Sequence, residues 1–303
     1  MMGSTYHRPV LLGQSVDLLG IQPGGTYVDV TYGGGGHSKE ILSRLEAGRL
    51  IVFDRDPDAL GNQIQDGRLQ FVPRDFRFFD DVWRENGLEK VDGILADLGV
   101  SSHQFDTPER GFSFRFSAPL DMRMNTRDGM TAADLLQDLE EPELADLLYR
   151  YGEVANARKA ARLLVAQREL SPIRTTTELV SVLESCIPPR RRSKYLAQVF
   201  QALRIEVNGE LKSLEALLNA SLQWLNPAGR LVVISYHSLE DRLVKRFMKT
   251  GNLAGVQVRD EVYGHQLTPW KQITRRAIQA SEEEIEQNPR ARSARLRAVE
   301  MTS

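Results

Sequence analysis

A doubly wound α/β sheet interrupted by an all-helical insertion is the fold class predicted by this 303-residue sequence, and three observations carry it. Short apolar runs alternate with helical periodicity through the first hundred residues, as in parallel strands joined by crossover helices. Four consecutive glycines, Gly33 to Gly36, close the first of those runs and open a helical pattern. About a hundred residues of helical spacing without a convincing strand then separate the fourth run from the fifth, too long for a structureless connection inside one compact domain.

Taken in order, strands are predicted over 27–32, 49–54, 69–72, 91–97 and 230–236. Each is short, apolar and bounded by turn residues. Between the last two, Ala132-Ala-Asp-Leu-Leu, Glu143-Leu-Ala-Asp-Leu-Leu-Tyr and the stretches 157–168, 177–183 and 194–205 read as helices. These form an inserted helical domain over 105–207, expected to lie over the ligand edge and recognise the substrate, while 1–104 and 208–303 build the sheet domain. A helix over 210–225 returns the chain to the sheet, and Asn226-Pro-Ala-Gly229 turns it into the fifth strand. Segments 272–280 and 292–300 read as an antiparallel pair.

Composition narrows the function classes. With 41% hydrophobic and 26% charged residues, the chain matches ordinary globular proteins. No apolar run approaches the roughly 20 residues of a membrane span, and the first residues lack the apolar core of a signal peptide, so a cytoplasmic protein is expected. One cysteine, Cys186, leaves no internal disulfide and no cysteine-rich zinc site. A net charge of -2 places any nucleic-acid contact in local patches.

The glycine run specifies the ligand chemistry. A dinucleotide fingerprint needs G-x-G-x-x-G, but the sixth position is Ser38 counted from Gly33 and Lys39 counted from Gly34. An acid four residues ahead of a glycine cluster, here Asp29, is instead the pattern of S-adenosylmethionine-dependent methyltransferases, in which the acid caps the loop. A plain tight turn is the competing reading. Asp54 supports the cofactor: it ends the second strand, 25 positions after Asp29, and a carboxylate there can take both hydroxyls of a ribose. Asp56, ahead of Pro57, is the better helix cap in that segment. Phe76, just past the third strand, is a candidate to lie on adenine, with a core position as the alternative.

The fourth strand ends at Asp97, followed by Leu-Gly-Val-Ser101-Ser102-His-Gln104. Methyltransferases of exocyclic amines carry an acid or Asn at that strand end, because an acceptor holding the amine hydrogens lets nitrogen present its lone pair to the methyl carbon. No metal or covalent intermediate is required. The usual acid/Asn-Pro-Pro-aromatic signature is absent, which leaves the roles of Asp97, Ser101 and Ser102 to be partitioned. The two serines serve equally well as caps of the next helix.

By these residues the chain resembles one family, the H-class small-subunit ribosomal RNA (cytosine-N4)-methyltransferases that act on 16S rRNA. Words such as Asp97-Leu-Gly-Val-Ser-Ser102, Glu109-Arg-Gly-Phe-Ser-Phe114, Pro119-Leu-Asp-Met-Arg-Met124, Phe200-Gln-Ala-Leu-Arg-Ile205 and His237-Ser-Leu-Glu-Asp-Arg242 run nearly end to end in order. Gln14 departs from the family's usual Glu. The resemblance implies a class I, Rossmann-like methyltransferase that uses S-adenosylmethionine to methylate the N4 amine of a decoding-region, P-site cytidine. Carried over by position, cofactor contacts fall on Gly35, Gly36, His37, Asp54, Phe76, Asp97 and Gln104, and the catalytic positions on Asp97 and Ser101. The implied partner is 16S rRNA, within the small subunit; a homodimer stays open.

Other residues bear on the acceptor. Carbon-5 methylation of cytosine needs a cysteine thiolate at a strand end, whereas Cys186 lies in the helical insertion and reads as a buried small hydrophobe. Phe112, Phe114 and Phe116, with Arg110 and Arg115, could stack an extruded base, although their period-two spacing describes a half-buried core segment rather better. Tyr236 or His237 is expected to line the base pocket, supported by Asp241 and Arg242, with Ser238 and Asp241 also fitting a helix cap. Arg190-Arg-Arg-Ser-Lys194, Arg275-Arg276 and the arginines from Arg290 to Arg297 are candidate phosphate contacts; 282–286 is a compensating acidic run.

Overall fold

The computed structural model describes residues 9–260 and 266–302. The described residues fall into two compact units, one within 1–99 and 211–303 and the other Val100–Glu210. The 105–207 segment expected as an insertion lies inside the second.

In the first unit the chain runs through α1 (Leu12–Leu19), β1 (Thr26–Asp29), α2 (Gly36–Arg44), β2 (Arg49–Phe53), β3 (Leu69–Val72), α3 (Phe79–Glu85) and β4 (Val91–Asp97). The second unit contains α4 (Ser102–Asp106), α5 (Ala132–Asp138), α6 (Glu141–Gly152), α7 (Ala157–Leu170), α8 (Thr176–Leu183) and α9 (Arg192–Asn208). The chain continues with α10 (Glu210–Trp224), β5 (Leu225–Ser235), α11 (Ser238–Thr250), β6 (Val258–Arg259), β7 (Gln266–Leu267), β8 (Trp270–Gln272), α12 (Glu282–Gln287) and β9 (Arg295–Met301).

Seven strands form one sheet in the order β3-β2-β1-β4-β5-β9-β8, and β6 pairs separately with β7. The first five run parallel, whereas β9 is antiparallel to both of its neighbours. From β1 the order proceeds outward to β3 and then resumes on the other side of β1 with β4. That reversal opens a crevice beyond the carboxyl ends of β1 and β4, where doubly wound sheets take ligands. Asp29 and Asp97 are the last residues of those two strands.

Both faces of the sheet are covered, which is why its strands read as continuous apolar runs. On one face Val28, Ile51, Phe53, Ile94, Ala96, Leu231 and Val233 pack with Phe79, Trp83, Leu217 and Phe247. On the other, the alternate residues Tyr27, Leu50, Val52, Leu95, Val232 and Ile234 pack with Val16, Leu19 and Ile41. Phe79 and Trp83 stack at 4.1 Å, and the Trp83 indole donates to the Glu89 carbonyl at 3.0 Å. Trp83→Ala is expected to cost about 3–5 kcal/mol of stability, from lost burial plus the cavity left behind. Urea unfolding checks this, and a cost below ~1 kcal/mol would contradict the assigned packing.

Two boundaries differ from the sequence reading. Asn226 to Gly229 is a bulge within β5 rather than a turn before it: Leu225 already pairs with Val91, and pairing resumes at Arg230 with Gly93. Ala228 adopts a left-handed φ of 64°, and Asn226 donates to Asp92 at 2.8 Å. The expected 292–300 strand begins only at Arg295, because Pro289–Ser293 forms a 3-10 turn with Pro at its start and Asn288 capping the Arg290 N–H. Of the expected pair, β8 joins β9, and Ile278 makes a single bridge to Leu296.

The second unit has its own core, in which Leu144, Leu148, Ala160, Leu164, Leu196, Val199 and Leu203 are buried at helical spacing. Capping boxes at Ser101 with Gln104, Thr131 with Asp134, and Thr175 with Glu178 start three of its helices. No helix among the described residues is long and apolar enough to cross a membrane.

Candidate active site

The site is built from three strand ends and the loop between β1 and α2. Asp29 is buried at the end of β1. One carboxylate oxygen accepts from the Thr31 N–H at 3.0 Å, and the other accepts from the Ser38 hydroxyl at 2.6 Å. One side chain thus fixes both the start of the glycine loop and the first turn of α2. Thr31 extends this tie to the neighbouring strand, its hydroxyl accepting from the Asp97 N–H at 2.7 Å.

The glycines have a packing reason as well. Gly35 is the left-handed N-cap of α2, at φ 74°, and no side chain caps that helix. A Cβ at Gly35 would come within 2.7 Å of the Tyr32 hydroxyl, and one at Gly36 within 2.2 Å of Pro9 Cγ. Only glycine lets Tyr32 and Pro9 close against the loop. The first-turn N–H groups of α2 lack a side-chain cap and can serve a bound acceptor.

Asp54 follows β2 and leans back over the loop. Its two oxygens accept from the Gly33 N–H at 2.7 Å and the Asp56 N–H at 2.8 Å, one on each. A carboxylate has about four lone-pair positions, so each oxygen retains one for a hydroxyl of a vicinal diol. Desolvation by burial pushes the Asp54 pKa up to about 6, against the backbone hydrogen bonds that lower it. Asp56, as expected, caps the following turn by accepting from the Asp58 N–H at 3.0 Å.

Two side chains flank the Asp97 carboxylate. Tyr236 donates to one oxygen at 2.7 Å, and His37 Nδ1 stands 3.6 Å from the other. Burial raises its pKa, while His37 and the Tyr236 hydroxyl pull it down. His37 is buried, with Nε2 3.2 Å from the Val10 carbonyl. A carbonyl only accepts, so Nε2 donates to it, and Nδ1 holds the Asp97 carboxylate only when it carries a proton as well. Burial also raises the Tyr236 pKa well above its usual value, with the Asp97 charge as the next cause; the phenol therefore stays a donor.

Phe76 starts a 3-10 turn after β3 and packs partly buried against the core of its sheet face. Its neighbour Asp75 holds Arg55, which follows Asp54, so the turns after β2 and β3 are joined. Ser101 and Gln104 belong to the second unit, where the Ser101 hydroxyl accepts from the Gln104 N–H and the Gln104 side chain accepts from the Ser101 N–H. Phe112 is buried, Phe114 meets Phe200 edge-on at 5.5 Å, and Phe116 is exposed. Arg110 is buried against the Arg123 and Met124 carbonyls. Cys186 is buried beside Tyr195.

One assignment in the loop after β5 is corrected. His237, not Ser238, caps α11, and its box partner is Glu240 rather than Asp241. An imidazole nitrogen can accept like a hydroxyl, which the Ser-x-x-Asp spelling does not reveal. Asp241 instead takes the Arg297 guanidinium at 2.7 and 3.2 Å. Sequence reasoning gave no role to Thr31, Ser38 or Glu240. A Thr two residues after a strand-end Asp is an Asx-turn signal and could have found Thr31.

A largely parallel sheet with its reversal between β1 and β4, a glycine-loop helix start, and carboxylates at three strand ends define a class I methyltransferase. Residues 4–302 match the model of the MraW methylase family, and the chain belongs to that family. It is 53% identical to "Ribosomal RNA small subunit methyltransferase H" of Bacteroides thetaiotaomicron, over 98% of this chain and 97% of that one. The protein of the same description from Cytophaga hutchinsonii is 52% identical over 97% of this chain and 99% of that one. An rRNA methylase structure from Streptococcus thermophilus is 12% identical, with a TM-score of 0.43 over 96% of this chain and 95% of that one. The cofactor is S-adenosylmethionine.

A ribose held by Asp54 would make cofactor affinity pH-dependent: only the ionised carboxylate accepts from both hydroxyls, so affinity should fall as pH drops through about 6, by up to tenfold per unit below it. For folding the sign is opposite. A folded pKa above the unfolded one means that stability in the free protein declines as pH rises from the usual aspartate value to about 6. Calorimetry of S-adenosylhomocysteine between pH 5 and 8 checks the binding effect, and a flat profile contradicts it.

Proposed function

We propose that this protein transfers a methyl group from S-adenosylmethionine to the exocyclic N4 amine of a decoding-region, P-site cytidine in 16S rRNA, in the cytoplasm. The relatives described as acting on small-subunit ribosomal RNA support the RNA substrate. The observation that carries the amine acceptor is Asp97, a strand-end carboxylate held by Tyr236 and His37 with lone pairs left over.

The bound cofactor supplies an electrophilic methyl carbon on a sulfonium. Asp54 takes the ribose hydroxyls, the α2 start and Asp29 hold the loop, and Phe76 flanks the adenine. Gly35, Gly36, His37 and Gln104 complete the cofactor contacts. Asp97 accepts hydrogens of the target amine, turning its lone pair away from the ring and favouring the positive charge that grows on nitrogen. The methylated amine is strongly acidic and loses its proton readily. Ser101 supports the acceptor side through the turn it caps. The helical unit, with its Arg190 to Lys194 run, recognises RNA around the target.

Incubation with labelled methyl donor and small ribosomal subunits, free rRNA or bulk protein tests this reading. Label in rRNA that digests to N4-methylcytidine is expected; label in protein alone, or in 5-methylcytidine, overturns it.

A further inference from the structure

The first unit holds a cavity of about 390 Å³ whose lining brings together Tyr236, His237, Asp241 and Arg242, the residues expected around the base pocket. Its lining includes Ser238, Arg242, Lys245, Arg292, Ser293 and Arg295. Three of these come from α11, and the last three from the 3-10 turn before β9 and the start of β9. Asp241 also lines it, but that charge is already engaged by Arg297 at 2.7 Å, with Arg295 at 3.7 Å. Among the described residues neither Lys245 nor Arg292 has an ion-pair partner, and both are exposed. Lys245 and Arg292 therefore face one hollow whose single lining carboxylate is already paired.

We propose that this cavity takes a phosphodiester of the RNA strand next to the target nucleotide, an assignment that rests on the RNA reading above. Lys245 and Arg292 supply the uncompensated charge, and Ser238, Ser293 and Gln279 supply neutral hydrogen bonds around it. The polar, cationic lining suits a backbone anion rather than an apolar ligand, and the volume admits a nucleotide-sized group. Tyr236 gives the position along the strand. It lines the cavity and donates to Asp97 at 2.7 Å, so a phosphate seated here lies one side chain from the acceptor carboxylate. Contacts of this kind fix register without reading sequence, which is what delivery of one chosen base to Asp97 needs.

The test uses the full chain and a fluorescent hairpin RNA carrying the decoding-region sequence. Its anisotropy is followed from 50 to 300 mM salt for the wild type and for a Lys245→Ala/Arg292→Ala double variant. Loss of the one neutralised phosphate should lower the slope of log affinity against log salt by about 0.7. A methylphosphonate beside the target cytidine should weaken wild-type binding and leave the double variant unaffected. An unchanged slope, or equal sensitivity of both proteins to the neutral linkage, overturns the proposal, as does a cavity that protects from competition only in the presence of an acidic peptide. The affinity of the double variant for S-adenosylhomocysteine should equal that of the wild type. If wild-type protein methylates rRNA while the slopes coincide, the cavity assignment alone fails; if it transfers no methyl to RNA, the function reading fails instead.

Discussion

Replacing Asp97 with alanine is expected to lower the single-turnover rate of methyl transfer to rRNA by about 10²–10⁴-fold, the range associated with removing a positioned acid–base or charge-stabilising group. The backbone bond from Asp97 to Thr31 does not depend on the side chain, so the loop keeps its place. What is lost is the acceptor for the amine hydrogens and the negative charge beside the nitrogen as it becomes cationic. Asp97→Asn keeps an acceptor oxygen without the charge and should fall between alanine and wild type. The acid limb of the rate profile should lie above the usual aspartate value, because burial raises the Asp97 pKa, and a protonated carboxyl accepts poorly. Rapid-quench measurement with saturating donor checks both, and a rate within threefold of wild type for Asp97→Ala contradicts the assigned role.

The second large effect is on the cofactor. Asp54→Ala is expected to weaken S-adenosylhomocysteine by about 10²-fold or more, since two hydrogen bonds to a charged group at ~1.5 kcal/mol each give ~3 kcal/mol. The loss is compounded by the loop, because the Gly33 and Asp56 N–H groups both bond to this carboxylate. Asp54→Asn retains two acceptor lone pairs on one oxygen and should lose less. Calorimetry on the variants, with thermal unfolding to confirm the fold, separates these outcomes. A dissociation constant within threefold of wild type for Asp54→Ala places the ribose elsewhere.

Much of this architecture is legible in the sequence because its signals are local. Leu50-Ile-Val-Phe and Ile94-Leu-Ala are apolar on both faces, as a covered parallel strand must be, and the spacing of Leu144, Leu148 and Leu164 marks helices directly. Asp29, Asp54 and Asp97 could be picked out because each is an acid at the end of an apolar run. What stayed hidden depends on contacts across the fold. The Tyr236 hydroxyl reaches Asp97 across 139 positions, and the Val10 carbonyl that orients the His37 ring lies 27 positions from it. The bulge at Asn226 arises from register against β4, and the His237 cap from an imidazole doing a hydroxyl's work. Gly36 shows both sides: its place at a strand-to-helix turn is readable, but the ring of Pro9 that forbids a side chain there is not.

In the proposed reaction, carboxylates at the ends of β2 and β4, with β1 between them, seat the donor and the acceptor separately, Asp54 holding the ribose and Asp97 the target amine. A crystal structure with S-adenosylhomocysteine and cytidine tests it most directly. Both ribose hydroxyls should lie about 2.7 Å from Asp54 oxygens, and cytosine N4 about 3 Å from an Asp97 oxygen. Cytosine bound away from Asp97, or a ribose that leaves Asp54 bonded only to its own loop, would contradict the account.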